Sequence, residues 1–311
     1  MRRVLAIGLS LLFPAFALAG PPEAWRKPAA DMVAWFETSG VGYGMVTPDF
    51  DCQGLSAGVL QWNVGKGSLW DKLLSKVPAA TFDATMPTYG ADFRAALAKS
   101  KAKRLEYVRG FQTFANEESC NGNVRKAVWS TEGVAFAKEV STLLKSAPVV
   151  ALQQTALNNK LDGGWQYATW WAEAKRGVGA TPTYLEFATF TDTLNFNGTW
   201  KEQANASLVE EFRKDRTDDD VFKEILDYLA AAPDDQYQRT EARKNATLWK
   251  GEGLNDEKID LLVFAYLVAT HLTKDHAKPF KLNTISRRGA ILFEGGWVNG
   301  ENVRFKSPPS H

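Results

Sequence analysis

Trp35-Phe36-Glu37-Thr38-Ser39-Gly40, followed by Pro48-Asp49-Phe50-Asp51-Cys52-Gln53-Gly54-Leu55-Ser56-Ala57-Gly58-Val59-Leu60-Gln61-Trp62-Asn63, is where the chain's chemistry and its fold meet. Met32, Val33, Trp35 and Phe36 recur at helical spacing, so Glu37 closes a helix that Ser39-Gly40 terminates. The two bulky apolar rings just before it, Trp35 and Phe36, predict a half-buried carboxyl. Such a position suits a proton donor, because desolvation disfavours the ionised form. Asp51 follows in a polar, glycine-containing loop that is expected to keep it ionised. Two carboxyls in contrasting environments are the apparatus of glycoside hydrolysis. Asp49 is the competing second carboxylate, since residues two apart on an extended strand face the same side. Gln61, read as a helix residue, either hydrogen-bonds a sugar hydroxyl or N-acetyl group or buttresses the loop.

Outward from this stretch, apolar residues keep helical spacing through most of the chain. Leu69, Leu73, Leu74 and Val77 predict a second helix, and Leu105, Val108, Phe111, Gln112 and Phe114 a third. Further helices are expected at about 123–146, 148–174, 182–194, 217–231, 236–249 and 256–273. Thr217-Asp218-Asp219-Asp220 is a helix start, with acidic residues at the positive end of the helix dipole. Strand signals are confined to the glycine-rich stretch near 41–47 and to a C-terminal hairpin, where Asn299-Gly300 suits a type I′ turn. The expected fold is mainly α, with a small β region and the hairpin. No repeat or linker divides residues 20–311, so one domain of two helical lobes is expected, its active segment at 30–70.

Residues 1–19 read as a signal peptide: Arg2 and Arg3, an apolar run from Val4 to Phe16, and the small-x-small site Ala17-Leu18-Ala19. The expected product is secreted or periplasmic and free of the membrane once cleaved. With 37 Lys and Arg against 36 Asp and Glu, no excess positive charge drives binding to nucleic acid. Three His and two Cys are too few for a zinc hydrolase centre, so no metal and no cofactor are expected. In an oxidising compartment Cys52 and Cys120 are expected to pair, the alternative being two small buried hydrophobes.

Glu-Thr-Ser-Gly at 37–40, followed by Asp-x-x-Gly-x-Ser-x-Gly-x-x-Gln at 51–61, resembles the lysozyme-like superfamily of goose-type lysozymes, lytic transglycosylases and chitosanases. Asp51 to Trp62, with Gly65-Lys66-Gly67 after it, is similar to a chitosanase pattern in which Gly and Arg stand where this chain has Cys52 and Gln53. Phe50-Asp51 and Leu60-Gln61-Trp62-Asn63 also resemble bacterial and phage cell-wall domains, as does Ile285-Ser286-Arg287-Arg288-Gly289-Ala290-Ile291. The resemblance implies a lysozyme-like fold, Glu37 as acid, Asp51 as the base that activates water, and Ser56 as the hydroxyl that holds it. Asp49, Gln61, Trp62 and Asn63 are the expected substrate contacts, and an Arg near 287 either orients a cleft carboxylate or is a solvated base. Among 11 Trp, Trp62, Trp70, Trp165, Trp170 and Trp171 are candidates for stacking on sugar rings, with core packing as the competing reading. The implied substrate is a β-1,4-linked, glucosamine-containing polysaccharide, peptidoglycan first and chitosan second. A non-catalytic glycan-binding module on the same scaffold is the reading from a different class.

Overall fold

The computed structural model describes residues 20–114, 127–198, 205–271 and 280–308. The expected signal peptide and Cys120, the expected partner of Cys52, lie outside them. No helix among the described residues is long and apolar enough to cross a membrane.

Helix α1 (Glu23–Thr38) buries Trp25, Ala29, Met32, Val33 and Phe36 on one face and ends where Ser39 turns left-handed, at φ 47°. A small antiparallel sheet follows, β1 (Val46–Pro48), β2 (Leu55–Ala57) and β3 (Trp62–Asn63), in that order. Thr47 pairs with Ser56, and Ser56 with Asn63. The predicted second helix is instead a π-helical turn, Leu69–Leu73, running into a 3₁₀ turn. Its wide winding puts Leu69, Leu73 and Leu74 into one core. Helices α2 (Ala79–Thr85), α3 (Gly90–Leu97) and α4 (Lys101–Arg109) come next.

The third predicted helix stops at Arg109, and Gln112 to Phe114 form strand β4 (Gln112–Phe114), paired with β5 (Ala127–Trp129). The buried Gln112 carboxamide decides this, accepting from the Asp49 amide at 2.8 Å and donating to the Gly54 carbonyl at 2.6 Å. The helix expected from 123 therefore begins only at α5 (Thr131–Lys145), where the Ser130 hydroxyl accepts from the Gly133 amide.

The long α6 (Ala147–Arg176) joins two cores. Its N-terminal half packs Val149, Leu152 and Ala156 with the sheet, α2, α3 and α5, while Leu161, Trp165, Ala168 and Trp171 belong to the core built by the later helices. These are α7 (Tyr184–Phe196), α8 (Ala206–Arg213), α9 (Asp218–Ala230), α10 (Arg239–Leu248), α11 (Asp256–Thr270) and α12 (Lys281–Leu292). Thr217 caps α9 as its sequence predicts, its hydroxyl accepting from the Asp220 amide. Strands β6 (Gly295–Val298) and β7 (Glu301–Arg304) close the chain as the expected hairpin, with Asn299 and Gly300 both at positive φ. A third apolar cluster, Met32, Val33 and Phe36 with Leu157, Ala188, Ile291, Val298 and Val303, fastens α1 between the two cores.

Gly164 sets the approach of α6 to α7. A Cβ there would lie 2.1 Å from Thr191 Oγ1 and 2.6 Å from its Cα. Gly163 is different: a Cβ meets only the Leu194 side chain within 3 Å. Alanine favours a helix over glycine by about 1 kcal/mol. Gly163→Ala is therefore expected to leave the melting temperature unchanged or higher, and Gly164→Ala to lower it by several degrees because two backbones must separate. Thermal unfolding followed by circular dichroism checks both.

Candidate functional site

Between the two cores lies a cavity of about 750 Å³, a size that suits a small-molecule or oligosaccharide site. Glu37, Asp51, Ser56 and Gln61 all line it, as do Thr47, Lys66, Asn195, Asn197, Asn283, Arg287 and Asn299. The sheet supplies one wall. Thr47 and Ser56 are cross-strand partners and so share a face. Ser56 is buried, and its hydroxyl makes no hydrogen bond among the described residues. Gln61 is in a turn, not a helix, at φ 48°, where its amide donates to the Gly58 carbonyl and its carbonyl accepts from the Thr47 hydroxyl at 2.8 Å.

The other wall is helical. Glu37 ends α1, and its Oε1 accepts hydrogen bonds from Arg287 Nη2 at 2.7 Å and Asn195 Nδ2 at 2.9 Å. Oε2 is engaged by neither. The apolar sleeve expected around Glu37 is thus replaced by a guanidinium, which itself stacks over the Phe36 ring at 4.8 Å. Arg287 also donates to Asp192 Oδ1 through Nε at 3.0 Å and Nη2 at 2.5 Å. Arg288 lies 3.1 Å from the second Asp192 oxygen and donates to the Thr284 carbonyl and to Asn197 Oδ1. All three of Asp192, Arg287 and Arg288 are buried. Burial lowers the Arg287 guanidinium, but Asp192 and Glu37 outweigh it and hold the group above its ordinary value. Burial, with Arg287 alongside, pulls Arg288 down to about 10, so it remains charged at neutral pH.

Asp51 departs from its expected environment. Burial pushes its carboxyl above the usual carboxylate range, and the nearby Asp49 charge adds to this, against a lowering contribution from the Gln53 amide, which donates at 3.1 Å.

Asp49, Trp62 and Asn63 do not line the cavity. The chain bends after Pro48 instead of continuing as a strand, so Asp49 turns inward to meet Arg109 at 2.9 Å and is fully buried. Trp62 packs in the first core, and Asn63 holds the following loop by accepting from the Lys66 amide at 2.9 Å. None of the five candidate tryptophans lines the cavity. Trp62, Trp165 and Trp171 are core residues, Trp70 packs against the core, and Trp170 is exposed elsewhere. The rings that do line it are Phe36, Phe50, Phe196, Tyr237 and Phe280. Asp192 and the asparagines carried no signal in the sequence, because a lone polar residue in a helix reads as solvated. The Arg287-Arg288 pair was visible, and the structure makes Arg287 the residue that orients Glu37. No cluster of three or more possible metal ligands occurs among the described residues.

No protein-family model, curated protein or solved structure matches the chain.

The Asp51 environment has a measurable consequence. A carboxyl whose folded-state pKa is raised favours folding below its unfolded value near 3.8 and loses that contribution as pH rises through the folded value. Asp51→Asn, which keeps an oxygen for the Gln53 amide, is expected to melt higher than the parent at pH 7. The gap should shrink as pH falls towards 4. Parallel thermal melts of the two proteins from pH 3.5 to 7.5 measure it.

Proposed function

We propose that the chain is an exported glycoside hydrolase of lysozyme-like fold that cleaves a β-1,4-linked, glucosamine-containing polysaccharide, with peptidoglycan as its substrate. The observation that carries this reading is the delivery of two carboxyls, from the end of α1 and from the β1–β2 loop, to the lining of one cavity. Glu37 donates a proton to the leaving glycosidic oxygen from Oε2, the oxygen that Arg287 and Asn195 leave unengaged. Asp51 takes a proton from the attacking water. Its raised pKa makes it a stronger base wherever it is ionised. Ser56, with its hydroxyl uncommitted, holds that water. Water attack with inversion is the expected route, and it requires the two carboxyls to stand about 6.5–9.5 Å apart.

Charge distinguishes the two substrates considered. The lining carries Glu37 and Asp51 but also Lys66 and Arg287, so it lacks the acidic excess that would select polycationic chitosan over an N-acetylated glycan. The elevated Asp51 carboxyl supports one further reading, in which Asp51 is the acid and Glu37 the base.

Loss of turbidity of purified cell walls, run beside reducing-sugar release from chitosan, tests the function; activity on neither leaves the non-catalytic glycan-binding module. Glu37→Gln is expected to fold normally and lose on the order of a thousandfold in rate, about 4 kcal/mol of transition-state stabilisation. Asp51→Asn is expected to be rescued by azide, and early NMR of the parent reaction should show the α anomer first. Azide rescue of Glu37→Gln in place of Asp51→Asn would exchange the two roles, and the β anomer would refute inversion.

A further inference from the structure

Four asparagines line the cavity, and three of them are committed to the protein. Asn195 donates to Glu37. Asn197 accepts from Arg288 and donates to Thr284. Asn299 accepts from Gln238 at 2.8 Å and donates to the Phe36 carbonyl at 2.7 Å, which pins the β6–β7 turn to the end of α1. Asn283 is the exception. It is 3% exposed, its carboxamide makes no hydrogen bond among the described residues, and its Oδ1 is a buried acceptor with no partner. An unpaired polar atom in that position carries a desolvation penalty that a folded protein ordinarily removes.

The surroundings indicate what the carboxamide waits for. Asn283 is on α12, one helical turn before Arg287, and so on the same face as the arginine that touches Glu37. The same end of the cavity is walled by three rings: Phe280 meets Phe196 edge-on at 5.9 Å and Tyr237 at 5.7 Å. Tyr237 is partly open to solvent, 37% exposed. An apolar wall beside a neutral N–H donor matches a sugar bearing a neutral amide: Asn283 Oδ1 is sealed from the cavity, so it is Nδ2 that donates to an acetamido carbonyl. An ammonium group at the same place would find Arg287 nearby and no carboxylate on Asn283.

We propose that Asn283, with Phe196, Tyr237 and Phe280, forms the subsite that reads the N-acetyl group of the sugar, and that it makes the enzyme select N-acetylated over free-amine substrate. This rests on the glycoside hydrolase reading above and goes beyond it by naming the selecting residue.

The test uses the full-length protein as exported and three substrates: purified peptidoglycan, the β-1,4 hexamer of N-acetylglucosamine and the corresponding hexamer of glucosamine. Asn283→Ala is expected to lower kcat/KM on N-acetylated substrate at least tenfold while changing activity on the glucosamine hexamer less than twofold. Its melting temperature should equal or exceed the parent's, because no protein hydrogen bond is lost and an unpaired acceptor is removed. A structural asparagine would do the opposite, lowering stability and depressing both substrates alike. If the parent cleaves N-acetylated glycan and Asn283→Ala keeps the parent's preference, the subsite is overturned while the hydrolase reading stands. If the parent neither cleaves nor, as Glu37→Gln, binds any of the three in calorimetry, both fall. Should Asn283→Ala fail to fold, the unpaired state of the carboxamide is refuted; Asn283→Ser, smaller and still polar, is expected to fold and to retain part of the preference.

Discussion

The rest of the molecule is organised around two arginines placed where water does not reach. Arg287 and Arg288 are adjacent on α12 and buried, and removing two guanidinium groups from solvent carries a large desolvation cost. It is offset by Asp192 on α7, whose two oxygens are divided between them, and by Glu37 at the end of α1. Two positive groups thus face two negative ones, contributed by three elements far apart in sequence. A hydrophobic cluster of similar volume would be at least as stable, so the benefit is positional. Only one arrangement of α1, α7 and α12 pairs every charge, and that arrangement carries Glu37 to the cavity.

Packing elsewhere serves the same geometry. Helix α6 belongs to both cores, and the absence of a side chain at Gly164 lets α7 approach closely enough to bring Asp192 under α12. On the opposite wall the Gln112 carboxamide, held between Gly54 and Asp49, fixes the loop that presents Asp51. Arg109 holds Asp49 on the inner side of that loop and also donates to the Cys52 carbonyl. Asp49 meets Arg109 while Asp51 lines the cavity, so neighbouring acids serve different surroundings.

The two carboxyls differ in environment, though with the contrast reversed from what local sequence suggests. Glu37, which follows Trp35-Phe36 in the chain, meets a guanidinium contributed by a residue 250 positions away. Asp51, in a stretch rich in small and polar residues, is desolvated by burial in a loop that packs on α4 through Cys52 and Gly54. A pKa is set by what surrounds a group in space, and for Asp51 the nearest chain neighbours are the lesser part of the surroundings.

The amphipathic helices and the hairpin were legible in the sequence. Helix α9 shows its apolar stripe and its Thr217 cap, and Asn299-Gly300 is a turn that tolerates positive φ at both positions. Glu37, Asp51, Ser56 and Gln61 were also legible as candidates, because glycines and a helix terminator between them predict a loop-and-strand excursion that brings them together. Helix α12 was not, since every residue from Leu282 to Leu292 is buried and a helix covered on all sides has no stripe to read. Nor were α2, α3 and α8, which are too short for periodicity to register, or β4, where a buried carboxamide overrode helical spacing. Sequence by itself therefore determined the mainly helical class and the segment bearing the carboxyls, because periodicity and turn chemistry act over a few residues. Tertiary structure alone decided that Asp49 and the tryptophans stay out of the cavity, that Arg287 enters it, and that Asn283 faces it without a partner. Each of these outcomes depends on desolvation and pairing between groups that the chain keeps far apart until it folds.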